Sequence, residues 1–168
     1  TRTDRTVGYD FTFSVPKSVS LLYGLTEDAD VLAAFRGAVA ETMREVESEA
    51  RARVRKGGRD AERATGNLVW AEYVHTTSRP VGGVPDPHLH AHMFVFNATF
   101  DEDERQWKAG QFRDLKRDAP YFQAAFRVRL ANRLQELGYA LERTRDDFEI
   151  AGVPKGVVRR FSRRTAQI

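Results

Sequence analysis

The stretch Pro85-Asp86-Pro87-His88-Leu89-His90-Ala91-His92-Met93-Phe94-Val95-Phe96 holds three of the chain's four histidines. Side chains two apart on a β-strand share a face. His88, His90 and His92 would therefore project together, with Phe94 and Phe96 further along the same face. Two readings stand at this point. One is a metal site, because neutral imidazole is the commonest metal ligand and coordination needs ligands on one face. The other is a histidine-rich strand end that holds no metal. Past His92 the stretch is apolar on both faces, Met93 and Val95 against Phe94 and Phe96. That pattern belongs to a strand in the middle of a sheet.

Upstream, residues 67–77 read as a second strand, with Val69, Ala71, Tyr73 and His75 on one face and Leu68, Trp70, Glu72 and Val74 on the other. Residues 78–87, rich in Gly and Pro, form the connection. Strand, loop and strand make an antiparallel hairpin most simply. Pairing would carry His75 beside the start of the histidine strand, which strengthens the metal reading. Near the N-terminus Tyr9, Phe11, Phe13 and Val15 alternate with Asp10, Thr12 and Ser14, a strand with one buried face and Asp10 on the polar one. Pro16 opens a helix. Lys17, Ser18 and Ser20 fall near its N-terminus, where backbone N–H groups can meet a phosphate; simple capping is the plainer role for Ser14 and Ser18.

A long helix is expected from Asp30, striped by Val31, Phe35, Val39, Met43, Val46, Ala50 and Val54 and ended by Gly57-Gly58. Asp101-Glu102-Asp103-Glu104 reads as a solvated acidic tip. Residues 114–137 give another helix, with Phe122, Phe126, Leu130, Leu134 and Leu137 on one stripe. Residues 139–142 and 148–150 form two short strands, and residues 153–163 a final basic helix. The order β–α–α–β–β–α–β–β–α predicts an α+β fold with a mainly antiparallel β-sheet flanked by helices.

The 168 residues suit one domain, spanning 1–168, and 41% are hydrophobic, enough for a core. No apolar run is long enough for a membrane span and there is no signal-peptide pattern. The chain has no cysteine. Any metal must be held by nitrogen and oxygen, which favours Mg²⁺ or Mn²⁺, with Zn²⁺ also compatible. The 27 basic residues face 24 acidic ones, for a net charge of +3. The basic excess clusters in Arg51-Ala52-Arg53-Val54-Arg55-Lys56-Gly57-Gly58-Arg59, in Arg159-Arg160-Phe161-Ser162-Arg163-Arg164, and at Arg127, Arg129 and Arg133. Such clusters can neutralise phosphates, or can simply be solvated faces.

Several blocks carry a family pattern. Tyr9-Asp10-Phe11-Thr12-Phe13-Ser14-Val15-Pro16-Lys17-Ser18-Val19-Ser20, His75-Thr76-Thr77-Ser78-Arg79 and Asp86-Pro87-His88-Leu89-His90-Ala91-His92 together resemble the TrwC/TraI (MobF) class of conjugative relaxases. So does the tail, through Phe148-Glu149-Ile150-Ala151-Gly152-Val153-Pro154 and Phe161-Ser162-Arg163-Arg164-Thr165-Ala166-Gln167-Ile168. The resemblance implies the HUH endonuclease fold, a ferredoxin- or RRM-like palm. It implies site- and strand-specific nicking of single-stranded DNA at an origin of transfer, with one divalent metal polarising the scissile phosphate and a tyrosine attacking it. On this sequence the implied metal ligands are His75, His90 and His92, with His88 left out. Asp10 is implied to orient a histidine and help take the tyrosine proton. A carboxylate lying behind a ligating histidine and fixing its tautomer suits that position. Arg79 and Lys17 are the candidate phosphate contacts.

The family's nucleophilic tyrosines precede the Asp10 strand, and the corresponding segment has no counterpart in this sequence. None of Tyr9, Tyr23, Tyr73, Tyr121 and Tyr139 lies in a matching block, and Tyr9 and Tyr73 read as strand core. The expectation is a palm incomplete at its N-terminus, with a metal site but no nucleophile of its own, and inactive alone in covalent nicking. Two other readings compete: a single-stranded DNA-binding module with a vestigial metal site, and a metal-dependent phosphodiesterase using water. The implied surroundings are bacterial cytoplasm, passage with DNA during conjugation, conjugation accessory proteins and a helicase domain further along the full protein.

Overall fold

A computed structural model describes residues 6–163 of the chain, Lys56 by its backbone alone. The tail motif from Arg164 to Ile168 lies outside the described residues. The central sheet has three antiparallel strands in the order β1 (Gly8–Ser14), β5 (Pro87–Phe96), β4 (Trp70–Thr77). The histidine strand is thus the middle one, as its two apolar faces require. Its register sets Thr12 and Tyr73 on either side of His92, and Ser14 and His75 on either side of His90.

One face of this sheet is closed by helices. Phe11, Phe13, Leu89, Ala91, Met93 and Val95 point into the core and are buried. Against them lie α1 (Lys17–Thr26), α2 (Ala29–Ser48) and α4 (Ala119–Glu136). Phe126 of α4 is at the centre, its ring 5.3 Å from Phe13 and 5.9 Å from Phe35. The other face, which carries the histidines, has no helix over it among the described residues. α2 starts at Ala29, just before Asp30: the Asp28 carboxylate caps it by accepting from the Asp30 N–H at 2.8 Å.

Three sequence expectations need correction. The long helix stops at Ser48, and residues 51–64 form the hairpin β2 (Arg51–Lys56) and β3 (Arg59–Ala64). Ala50 and Val54 continued the helical stripe, but Arg-Ala-Arg-Val-Arg alternates with period two and buries Ala52 and Val54 equally well as a strand. Gly57 and Gly58, with φ of 59° and 79°, are the two-residue turn of that hairpin, not a helix stop. The helix expected over 114–137 is two: α3 (Arg113–Arg117) and α4, separated at Asp118. Pro120 lacks the N–H that a continuous helix would need and sits instead in the first turn of α4.

The acidic tip is the third, in one residue: Glu102, Asp103 and Glu104 are exposed as expected, but Asp101 is not. Asp101 is wholly buried at the end of β6 (Thr99–Asp101), which pairs with β7 (Gln106–Lys108). Its carboxylate takes Arg63 at 2.8 Å and Lys108 at 3.0 Å. Burial pushes the Asp101 carboxyl up, but the bonds from Arg63, Lys108 and the Glu104 N–H outweigh it and hold it at about 2. An unfolded-state aspartate titrates near pH 4, so between about pH 4 and pH 2 the folded chain binds fewer protons than the unfolded one. The stability this group contributes is complete above that window and is lost as pH falls through it. Asp101→Asn is therefore expected to be less stable than the parent at neutral pH, with the gap closing as the pH drops from about 4 to 2. Urea unfolding followed by circular dichroism across that range checks it.

The remaining elements close the end of the sheet near the histidine loop. β8 (Leu141–Arg143) and β9 (Phe148–Ile150) pair as a short hairpin, and α5 (Lys155–Arg160) is the shortened form of the basic helix expected over 153–163. The backbone N–H of Ile150 donates to Ser18 Oγ at 2.7 Å and that of Ser18 to Glu149 Oε2 at 2.9 Å. Ser18 thus docks β9 onto the start of α1.

Candidate metal centre and its surroundings

The open face of the sheet gathers the histidines from two strands. His75 comes from β4, His90 and His92 from β5, with Asp10 and Thr12 beside them on β1. Ring centres lie 5.3 Å apart for His75 and His90, 5.5 Å for His75 and His92, and 5.2 Å for His90 and His92. Three imidazoles sharing one ion at about 2.1 Å have ring centres roughly 5 Å apart. The triangle is therefore the right size for one ion. Among the described residues no three histidine or carboxylate side chains are already drawn into a closed coordination shell, so the rings would have to turn toward a common point.

Hydrogen bonds decide which nitrogens are available. His92 Nδ1 lies 2.6 Å from Asp10 Oδ2, and His90 Nδ1 lies 2.8 Å from the His88 carbonyl oxygen. Both partners are acceptors, so each Nδ1 carries the proton and donates. Nε2 of each ring is then the free lone pair, the arrangement in which a carboxylate or carbonyl orients a ligating histidine. Thr12 Oγ1 donates to Asp10 Oδ2 at 3.1 Å and sits 3.2 Å from His92 Nδ1, bracing that pair. Burial pushes the His90 imidazole below the usual histidine range, opposed by its bond to His88 and aided by the neighbouring His92 and His75. A neutral ring is the form that binds metal. His88 stacks on His90 with ring centres 4.3 Å apart.

Thr12, His75, His88, His90 and His92 line a cleft of about 590 Å³ with Thr77, Ser78 and Arg79, and Asp10 stands behind His92. Arg79 is exposed there. Through Ser78 and His88 the cleft adjoins a hollow of about 510 Å³ that also meets Lys17, Asp86 and Arg127. Lys17 is less free than its place at a helix start suggests. Its Nζ donates to the Pro87 carbonyl at 2.9 Å, and burial lowers its pKa against the pull of Asp86 and Glu149. Another hollow, of about 550 Å³ between α4 and the β8–β9 hairpin, contains no histidine.

The basic clusters separate into spent and free. Arg129 and Arg133 pair with Glu41 and Glu45 of α2, and Arg127 pairs with Asp147. They are tied to internal carboxylates and do not form a phosphate-facing row. Arg163 is engaged by Asp86. The β2–β3 ribbon keeps Arg53, Arg55 and Arg59 exposed.

Two features escaped the sequence reading. Tyr73, assigned there to the core, is 56% exposed beside His92 on the open face. Its alternation with buried-side residues was correct; what sequence could not give was that this face lacks a helix. Thr12 was placed on the correct face, and only the register that sets it opposite His92 reveals its contact.

The TrwC relaxase family model matches residues 1–168. The multifunctional conjugation protein TraI of Escherichia coli is 35% identical over 170 residues, covering 96% of this chain and 9% of TraI. A metal-bound structure of conjugative relaxase TrwC in complex with OriT DNA superposes with a TM-score of 0.92 at 37% identity, over 99% of this chain and 57% of that one. TrwC with a 27-mer DNA comprising the recognition hairpin and the cleavage site gives 0.91 at 38% identity, over 99% and 59%. The chain therefore spans a small part of TraI and less than two thirds of the TrwC chains. With a family match over its whole length and an antiparallel sheet that superposes on solved relaxases, the chain belongs to the TrwC relaxase family.

Proposed function

We propose that this chain forms the metal-holding part of a relaxase domain that nicks single-stranded origin-of-transfer DNA. The observation that carries the proposal is the convergence of His75, His90 and His92 on one open face, with Asp10 fixing His92 so that Nε2 is free. These three histidines would hold one divalent ion, Mg²⁺ or Mn²⁺ in our reading; the all-imidazole donor set also suits Zn²⁺. When bound, such an ion supplies Lewis-acid polarisation of a phosphate oxygen.

The chain's own residues do the rest. Asp10 holds the tautomer of His92 and stands where it can take a proton from an attacking hydroxyl. Arg79, exposed at the rim of the cleft, meets a phosphate of the strand, and Lys17 braces the loop leading to the histidine strand while facing the adjoining hollow. The attacking tyrosine is none of Tyr9, Tyr23, Tyr73, Tyr121 and Tyr139. Tyr73 alone of these is on the histidine face, and it does not line the cleft with Arg79. The nucleophile is then supplied by another part of the relaxase, and this stretch alone makes no covalent adduct. The exposed arginines of the β2–β3 ribbon fit the backbone of a DNA strand as partner, since guanidinium groups neutralise phosphates. Conjugation accessory proteins and a helicase domain belong to the same setting, in the bacterial cytoplasm and on transferred DNA. Among the described residues no helix is long and apolar enough to cross a membrane.

Asp10→Asn tests the central relation. It keeps an acceptor near His92 but removes the charge. Mn²⁺ affinity, measured by calorimetry, is expected to fall about 10–100-fold, the usual effect of losing a ligand's orienting carboxylate. An unchanged affinity would show that Asp10 does not serve a metal ligand.

A further inference from the structure

Three parts of the chain meet at Asp86. Its backbone closes the loop between the two ligand-bearing strands: the Ser78 N–H donates to the Asp86 carbonyl at 2.9 Å, and the Asp86 N–H donates to Ser78 Oγ at 3.2 Å. The pairing of β4 with β5 shifts register between His75 and Thr77 and resumes only at Thr77 and Pro87, so the Asp86 bonds reinforce a ladder that is interrupted at this end. The carboxylate, 2% exposed as a residue, is taken by the tail of the chain. Arg163 donates from its backbone N–H to Oδ2 at 3.0 Å and from Nε to Oδ1 at 2.8 Å, and its terminal nitrogen reaches Oδ1 at 2.6 Å and the Val84 carbonyl at 3.1 Å. Lys17 of α1 holds the next carbonyl, that of Pro87.

We propose that Arg163 is a positioning residue for the metal centre, acting through Asp86 to fix the distance between His75 and the His90–His92 pair. This rests on the metal reading of those histidines. His75 is three residues before Ser78, and His90 is four residues after Asp86. The two ligand groups thus lie on either side of the knot that Asp86 ties. A buried carboxylate that loses its cation is costly to keep in place. Without Arg163 the Asp86 side chain turns toward water, the loop loosens, and His75 is no longer held at one separation from His90. The guanidinium fork engages a side chain and a backbone carbonyl together, which an ammonium cannot reproduce in full.

The test is Mn²⁺ calorimetry on the parent, Arg163→Ala, Arg163→Lys, Asp86→Asn and Leu134→Ala, with thermal melts on each and amide hydrogen exchange across residues 78–92. Leu134, fully buried on α4, provides a destabilised variant outside the loop. Arg163→Ala and Asp86→Asn are expected to lose about 10-fold in affinity with faster exchange in 78–92, while Arg163→Lys recovers part of the loss. Leu134→Ala is expected to melt lower and bind Mn²⁺ as the parent does. The proposal is overturned if Arg163→Ala binds Mn²⁺ as the parent does, or if Leu134→Ala loses as much affinity as Arg163→Ala. A parent that takes up no Mn²⁺ removes the metal reading itself and this inference with it.

Discussion

His90→Ala is expected to reduce Mn²⁺ affinity by more than the 10–100-fold that loss of an orienting partner costs, at least about 100-fold. His90 is on the middle strand of the sheet, 5.3 Å from His75 and 5.2 Å from His92 by ring centres, so it is the shared neighbour of the other two. Its Nδ1 is committed to the His88 carbonyl, and burial pushes its imidazole below the usual histidine range. Removing it leaves two ligands on different strands with no third between them. His88→Ala serves as the comparison. If His88→Ala were the variant that abolished binding, the ligand assignment would be wrong.

Phe126→Ala is expected to cost about 3–5 kcal/mol, the range for deleting a buried phenyl ring. Phe126 is fully buried and meets both Phe13 on the sheet and Phe35 on α2. Among the described residues no other ring contacts link the sheet, α2 and α4, so the cavity would open where sheet and helices join. Against a total stability of roughly 5–15 kcal/mol, the loss is a large fraction. For a domain of this size it corresponds to roughly 6–20 °C in Tm. Differential scanning calorimetry measures it. A drop of only a degree or two would mean that the core around Phe126 collapses onto the gap or is packed differently.

The parts of the fold readable from sequence were those with one strong period and no competitor. Alternation from Tyr9 to Val15 gave β1 and the polar face of Asp10. The two-faced apolar run from Met93 to Phe96 gave a central strand, and the Gly- and Pro-rich loop gave the β4–β5 hairpin that brings His75 to His90. Where two periods overlapped, reading failed: residues 50–56 fit a helical stripe through Ala50 and Val54 and a strand through Ala52 and Val54, and only packing chose the strand. Charge was also misleading where pairing decides the outcome. Asp101 looked solvated among its acidic neighbours, yet Arg63 arrives from another hairpin to bury it. Arg129 and Arg133 looked like a basic face, but Glu41 and Glu45 of α2 neutralise them. The residues of the candidate site were named from strand spacing and the family pattern. Its bracing was not legible there, because Thr12 reaches His92 across a register, and Arg163 reaches Asp86 across 77 positions of sequence.

The account stands or falls on where a metal goes. A crystal structure of the chain soaked with Mn²⁺, with anomalous differences recorded at the manganese edge, answers this directly. The predicted result is one strong peak on the open face of the sheet, within coordination distance of Nε2 of both His90 and His92 and of a ring nitrogen of His75, with Asp10 still on His92 Nδ1. A peak held by His88 and excluding His75, or no peak on that face at a saturating concentration, would contradict it.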